Sequence, residues 1–215
     1  MTLAGSADAG LSEMQRSALQ ELANIGAGHA ASALAQMIGQ TVSIDVPKVM
    51  AVRLEDAPQQ IGDPESVVVA VFFRVIGEAP CRMLLLFSPE NARMLVDMVS
   101  GKPARTTQTL DEEGASAVKE VGNILSGSYL NALSKLVGLN LVNSVPGYSE
   151  DMLEAVLQSA LMDLGQEAEF AFLIATDLIV SGHRVNAHFL LVPHADSLQT
   201  LLRAMMRFSA PEESA

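Results

Sequence analysis

The sequence predicts an α/β fold of the α+β type: two αβ repeats related by a pseudo-twofold axis, an antiparallel sheet, and two long helices presented side by side on one face. Three observations lead to it. Residues 17–47 recur without a gap as residues 116–146, at an offset of 99 positions. Both copies space their apolar residues as helices do, and both are followed by pairs of β-branched runs typical of hairpins. An internal repeat of this kind indicates a duplicated supersecondary unit.

Length and composition set the limits of the interpretation. With 215 residues, of which 49% are hydrophobic, the chain can bury a full core, and we expect a single domain over 1–215 with internal repeats at about 12–100 and 109–208. A net charge of −12 does not suit nucleic acid or electrostatic attachment to anionic lipid, so we expect no nucleic-acid binding. The chain shows no apolar run of about 18 residues and no signal-peptide pattern, which predicts a cytoplasmic protein without membrane insertion. The single cysteine, Cys81, excludes a disulfide and lies in an apolar run, where a buried thiol is expected.

The first repeat begins with a long helix. Ser12 and Gln15 form a capping box and Gly39 can end the helix in a left-handed conformation, which predicts a helix over 12–38. Alternating and β-branched runs predict the strands, and the pair Ser-Pro predicts the start of a shorter helix. The elements expected after the long helix are strands at 42–46 and 49–54 on either side of Pro47, a loop at 56–64, a hairpin of 67–76 with 82–87, and a helix at 88–101.

The second repeat follows the same order. Thr109 with Glu112 is expected to open its long helix, and Gly138 to end it. The halves are expected to differ where residues 149–164 show the spacing of an extra amphipathic helix in place of the loop of the first half. The remaining expected elements are a strand at 141–145, a hairpin of 169–180 with 184–192, and a closing helix at about 194–208.

Both long helices carry the same polar stripe. At 100° per residue, Glu21 and Asn24 share a face with small neighbours, and Glu120 and Asn123 repeat the arrangement. One such pair is an ordinary solvated surface, but recurrence with the same flanking residues indicates a functional surface. A carboxamide both donates and accepts and so can orient a water molecule, while a carboxylate can hold a cationic group or position the same water. A different stripe is expected to face the core in the first helix: Met14, Ala18, Leu22, Ile25 and Ala33.

The repeated residues resemble a family signature. The pattern Asp/Ser-x3-Glu-x2-Asn-x22-Pro is found in the CheC/CheX/FliY phosphatases of bacterial chemotaxis, and the two intact motifs and their local words are most similar to the CheC branch. The chain has the pattern twice, as Ser17, Glu21, Asn24 and Pro47 and as Ser116, Glu120, Asn123 and Pro146.

The resemblance implies an enzyme of two-component signalling that hydrolyses the aspartyl phosphate of the response regulator CheY and ends its signal. In that family the Asn enters the regulator's active site and aligns water, and the Glu contacts the regulator near its conserved lysine, which implies catalytic roles for Glu21, Asn24, Glu120 and Asn123. The regulator supplies Mg²⁺, so no cofactor or metal is expected to be bound by this chain. The receptor deamidase CheD is implied as a further partner. A non-catalytic docking or regulatory module that binds a response regulator or CheD stays open as the alternative.

Overall fold

The computed structural model describes residues 11–162 and 168–209, so the ends of the expected domain and positions 163–164 of the predicted extra helix lie outside the described residues. The two 26-residue helices, α1 and α4, pack against each other on one face of a sheet, as predicted. In chain order the elements are α1 (Glu13–Ile38), β1 (Val42–Arg53), a 3-10 turn (Leu54–Asp56), α2 (Ala57–Ile61), β2 (Val67–Gly77), β3 (Cys81–Phe87), α3 (Pro89–Val99), α4 (Glu112–Val137), β4 (Leu141–Asn143), β5 (Gly147–Met152), α5 (Leu153–Leu161), β6 (Phe170–Val180), β7 (His183–Pro193) and α6 (Ala195–Ser209).

Seven strands of the described chain form one antiparallel sheet. Its order is β1-β6-β7-β3-β2, with β4 and β5 both paired to the free side of β2. Between the repeats, β2 corresponds to β6, β3 corresponds to β7, and β4 and β5 together correspond to β1. With these correspondences, the strand order is the same when it is read from either edge of the sheet. The first strand of each repeat therefore completes the sheet of the other repeat, and the pseudo-twofold axis passes between β3 and β7.

Both motif prolines lie where the edge of the sheet contains one extra residue, within β1 for Pro47 and between β4 and β5 for Pro146. From Asp45 to Lys48 the chain of β1 advances three residues, while its partner β6 advances only two. From Asn143 to Gly147 the chain advances four residues, while its partner β2 advances only three. Proline has no N–H for the ladder and is tolerated at bulges and edges of sheets. The prediction of two strands separated by Pro47 was therefore wrong, since β1 continues through the proline as one bulged strand.

The predicted loop at 56–64 was also wrong, because it begins at the last residue of a 3-10 turn and contains α2. Pro58 suits the first turn of α2, where a missing N–H leaves no helical hydrogen bond unmade. Adding 99 to the positions of α2 gives 156–160, which lie inside α5. Both halves thus carry a helix here. The prediction that only the second half carries a helix here, at 149–164, was therefore wrong, because the helices of the two halves differ only in length. The first residues of the predicted helix belong instead to β5, which pairs with β2.

The long helices are capped by side chains at their N-termini. The predicted capping box of α1 is present: Gln15 N–H donates to Ser12 Oγ at 3.2 Å, and Ser12 N–H donates to Gln15 Oε1 at 2.8 Å. Helix α4 begins later than predicted, because its N-cap is Asp111 rather than Thr109. Asp111 Oδ1 accepts the N–H of Gly114 at 2.9 Å, a cap at least as favourable as threonine. Both helices end at a left-handed glycine, as predicted.

The sheet separates two hydrophobic cores. The larger core lies under α1, α3, α4 and α6, and the smaller lies under α2 and α5 on the other face. Central strands are buried on both faces: in β2, Val69 and Val71 face the larger core, and Val68 and Ala70 face the smaller. Cys81 is buried in the larger core, and burial raises the pKa of its thiol to about 12, so it is an inert structural cysteine, as predicted.

The buried side of α1 is wider than a single stripe. Ala18 and Leu22 of the predicted core stripe are buried, but Met14 is 48% exposed, and Ile25 and Ala33 are only half-buried. Because α1 packs against both β1 and α4, a second set of positions is covered. The additional buried residues of α1 are Leu19, Ala23, Gly26, Ala27, Ala30 and Leu34.

Candidate functional site

Glycines determine how the two long helices present the repeated residues. A Cβ atom at Gly26 would lie 2.5 Å from Cδ1 and 3.1 Å from Cα of Tyr129, so this glycine allows the close approach of α1 and α4. Gly28 and its repeat counterpart Gly127 differ, because a Cβ at either would meet nothing within 4 Å. Packing within the chain therefore accounts for Gly26, while the surfaces next to Gly28 and Gly127 are open to another molecule.

The four candidate site residues lie on the outer faces of the helices. Glu21 and Asn24 of α1 are exposed, and so are Glu120 and Asn123 of α4. Their sequence neighbours on either side are buried or half-buried, so the carboxylate and the carboxamide lie one helical turn apart on the outward face. The predicted exposure is confirmed, whereas the catalytic roles stay predictions. Each face offers an anionic group and a combined donor and acceptor, with a glycine in open space one turn later.

The two amides have different neighbours. Gln20 Nε2 donates a hydrogen bond to Asn24 Oδ1 at 3.3 Å, which links two side chains on the same turn of α1. The counterpart of Gln20 in the second repeat is Lys119. Over the described ranges, the side chain of Asn123 has no hydrogen bond to another residue, so its amide is free to rotate toward a partner.

The main chain at Asn123 is held by a polar bridge that has no copy in the first repeat. Ser126 Oγ donates to the main-chain oxygen of Asn123 at 3.2 Å, and Asn143 Nδ2 donates to Ser126 Oγ at 3.0 Å. This bridge joins α4 to β4 beneath the exposed face. The corresponding positions of the first repeat are Ala27 and Ile44, which cannot form it. Sequence reasoning missed Ser126 and Asn143. The available signal was that these polar residues stand at positions where the first repeat has apolar residues.

A groove of about 630 Å³ adjoins the second pair and contains Glu120 in its wall. It is bounded by the end of α3, the linker that follows, the first turns of α4, and Met37 of α1. We call it the Glu120 groove. The residues lining it are Met37, Val96, Val99, Ser100, Lys102, Thr106, Thr107, Gln108, Thr109, Asp111, Glu113, Gly114, Ala117 and Glu120.

A buried carboxylate fixes the linker that forms one wall of this groove. Asp97 of α3 is fully buried and accepts three hydrogen bonds: from Thr106 N and Thr107 N, both at 2.9 Å, and from Thr107 Oγ1 at 2.6 Å. Burial alone would raise the pKa of Asp97, but the hydrogen bonds from Thr107 and Thr106 favour the ionised form and hold the pKa below its usual value. Sequence reasoning missed Asp97, whose signal was an acid among the apolar residues of α3.

Neither a metal cluster nor a membrane span is found in the part of the chain that the structure describes. Over 11–162 and 168–209, no group of three or more His, Cys, Asp or Glu side chains is placed to hold a metal ion. Among the described helices, none has both the length and the apolar composition needed to cross a bilayer.

Comparison with known proteins places both pairs inside one family's conserved model. The CheC-like family model matches residues 14–51 and 113–149, which contain both Glu/Asn pairs and both motif prolines. The CheY-P phosphatase CheC of Bacillus subtilis is 34% identical over 200 residues, covering 91% of this chain and 96% of that protein. The flagellar motor switch phosphatase FliY of Bacillus subtilis is 28% identical over 137 residues, covering 63% of this chain and 35% of that protein.

The fold is also found in solved structures. The crystal structure of FliY from Thermotoga maritima matches with a TM-score of 0.76 and 20% identity, covering 93% of this chain and 99% of that one. At this identity the match shows the shared fold: a mixed α/β architecture with a curled antiparallel sheet, as the sequence predicts.

Proposed function

The chain belongs to the CheC-like family, and we propose that it is a protein phosphatase that hydrolyses the aspartyl phosphate of a CheY-type response regulator and thereby ends its signal. The observation that carries the proposal is the pair of exposed Glu-x2-Asn faces, each inside a segment matched by the family model. A relative that carries the name CheY-P phosphatase and aligns over nearly its whole length supports the activity and the substrate.

The residues are assigned different tasks. The carboxamides of Asn24 and Asn123 would enter the active site of the regulator and hold a water molecule in line with the phosphorus–oxygen bond that breaks. Orientation of the nucleophile is the main contribution open to them, because phosphoryl transfer depends largely on positioning and on electrostatic stabilisation. Glu21 and Glu120, one turn earlier, would bind a cationic group of the regulator.

Exposure supports contact of all four residues with a second protein. A side chain that must reach into a second protein has to project from its own surface, and both amides and both carboxylates do so. The open space over Gly28 and Gly127 lets the backbone of a partner approach the helix one turn beyond each amide. By the same family resemblance, we propose that a Mg²⁺ ion held by the regulator offsets the charge of the phosphate.

Two further assignments rest on the family resemblance. We propose the receptor deamidase CheD as a second binding partner. We also propose the cytoplasm as the location, because the substrate is a two-component signalling protein.

Release of phosphate from a phosphorylated CheY-type regulator tests the proposal. The wild-type chain is expected to accelerate dephosphorylation, and the double variant Asn24→Ala/Asn123→Ala is expected to lose nearly all of that acceleration while its circular dichroism spectrum is unchanged. A wild-type protein that binds the phosphorylated regulator without accelerating its dephosphorylation would support the docking module instead.

A further inference from the structure

The Glu120 groove combines an acidic rim with an apolar floor. Glu113 and Glu120 are seven residues apart on α4, so they lie on one face two turns apart, with Ala117 between them. Met37 and Val99 provide apolar surface across from this face. A lysine or arginine side chain has the complementary form, because its methylene stem packs on apolar surface while its charged end stays near carboxylates and water.

The charged groups of the groove favour a cation. Three carboxylates line it, and one cationic residue, Lys102, opposes them. Asp111 already serves as the N-cap of α4 through its hydrogen bond with Gly114. Glu113 and Glu120 make no hydrogen bond or ion pair with another residue of the described chain, so both remain available for a basic group.

The groove is held in shape before any partner arrives. Its linker wall is fixed by the hydrogen bonds that buried Asp97 accepts from Thr106 and Thr107. A preformed site loses less conformational freedom on binding than a flexible one. The groove can therefore add affinity without a large ordering cost.

Within the described residues, the first Glu/Asn pair lacks the counterpart of Glu113. The counterpart of Glu113 at the 99-residue offset is Met14, which is 48% exposed two turns before Glu21. The linker that forms the wall beside Glu120 follows α3. The duplicated faces thus differ beside the carboxylate as well as at the amide.

We propose that the Glu120 groove receives a basic side chain, lysine or arginine, of the docked response regulator, in addition to the cationic group bound by Glu120 itself. Glu113 is then a specificity-determining residue, and the Glu120/Asn123 pair binds the phosphorylated regulator more tightly than the Glu21/Asn24 pair. This inference rests on the proposed phosphatase function and names a further contact of the same substrate protein.

The test uses a chain in which only the second pair is intact. In the Asn24→Ala background, Glu113→Gln is expected to raise KM for the phosphorylated regulator about 2- to 5-fold, the range of an exposed ion pair, with kcat unchanged. The increase is expected to shrink as salt is added, because screening weakens the pair in the parent. Glu112→Gln is the matched control: it removes the same charge from the same first turn of α4 but lies outside the groove, and its KM is expected to equal that of the parent.

A second variant fills the groove instead of neutralising it. Thr109→Lys, also in the Asn24→Ala background, places an ammonium group inside the groove and is expected to raise KM at least as much as Glu113→Gln. Equal KM values for Glu113→Gln and Glu112→Gln, or no effect of Thr109→Lys, would overturn the inference while leaving the phosphatase proposal intact.

Failure of the proposed function has a different signature. If the Asn24→Ala parent shows no phosphatase activity, the Kd of each variant for the phosphorylated regulator, measured by titration, tests whether the groove binds the regulator. Weaker binding of Glu113→Gln than of Glu112→Gln would then support the groove in a docking module, and identical Kd values would overturn it.

Discussion

Replacing Gly26 by alanine is expected to destabilise the protein although alanine is the better helix former. The new methyl carbon would lie 2.5 Å from Cδ1 and 3.1 Å from the main-chain Cα of Tyr129. The ring has little freedom to move, because it is buried, stacks on Phe189 with centroids 4.7 Å apart, and places its hydroxyl 3.5 Å from Thr176 Oγ1. Helices α1 and α4 therefore have to separate to admit the methyl group.

The magnitude follows from two opposing terms. Overpacking of a core costs about 1–3 kcal/mol, and the contact at Gly26 is short enough to place this change in the upper part of that range. Alanine favours the helix over glycine by about 1 kcal/mol. The free energy of unfolding of Gly26→Ala is expected to fall by about 1–2 kcal/mol, the difference between these two terms.

Gly28→Ala is the matched control two positions later in the same helix. No atom lies within 4 Å of the added methyl group, so the helix-propensity term acts alone and the free energy of unfolding is expected to rise by about 0.5–1 kcal/mol. Urea unfolding followed by circular dichroism measures both variants on one scale, with an unchanged m value expected. If Gly26→Ala is stabilised as much as Gly28→Ala, the close approach of α1 to Tyr129 is wrong.

The same control variant also probes the proposed docking face. In an Asn123→Ala background, where only the first pair is intact, Gly28→Ala is expected to raise KM for the phosphorylated regulator despite the gain in stability. The reason is that the methyl group occupies surface one turn beyond Asn24, which the regulator is proposed to cover. An unchanged KM would show that the regulator does not approach this turn closely.

Three further outcomes are expected. Glu21→Ala and Glu120→Ala should mainly raise KM, whereas Asn24→Ala and Asn123→Ala should mainly lower kcat; identical kinetic signatures for the two residue types would contradict this division. Each single Asn variant should retain measurable phosphate release from the phosphorylated regulator, and the double variant almost none, with stability changed by no more than about 0.5 kcal/mol at these exposed positions. The pKa of Asp97 is lower in the folded state than in the unfolded state. Ionised Asp97 therefore stabilises the fold at pH values above its unfolded-state pKa of about 3.9, and this stabilisation is lost as the pH falls from there toward the folded-state pKa. Urea unfolding of Asp97→Asn as a function of pH should show a weaker acid dependence than the wild type, and an unaltered acid limb would contradict the assignment.

The sequence carried enough information for the long helices, the hairpins and the exposed faces. The capping box at Ser12 and Gln15 and the terminal glycines are local signals, and the structure follows them closely. The repeat then acted as an internal comparison, since a stripe that recurs at 99 residues is unlike a chance surface pattern. Exposure of Asn24 and Asn123 could be predicted because helical periodicity assigns faces without tertiary information.

The features that were missed depend on contacts between distant segments. Pro47 looked like a strand terminator because its position at a sheet edge, opposite β6 of the other repeat, is set by pairing more than 120 residues away in sequence. Met14 looked like a core residue because it shares a periodic stripe with Ala18 and Leu22, whereas the surface that α1 buries is set by its packing against β1, α4 and α6. Asp97 shaped the linker through hydrogen bonds to Thr106 and Thr107, which no helix or strand pattern indicates.

Strand exchange couples the stability of the two faces while leaving their chemistry separate. Strand β1, which follows α1, pairs with β6 of the second repeat, and β4 and β5, which follow α4, pair with β2 of the first. Neither repeat completes its sheet alone, so a change between the helices, such as Gly26→Ala, is expected to weaken both sites together. A change at Asn24 or Asn123 acts on one site, because each amide projects from its own helix face. The linker fixed by Asp97 lies beside α4 and Glu120, so a difference in regulator affinity between the two pairs is expected there rather than in the shared sheet.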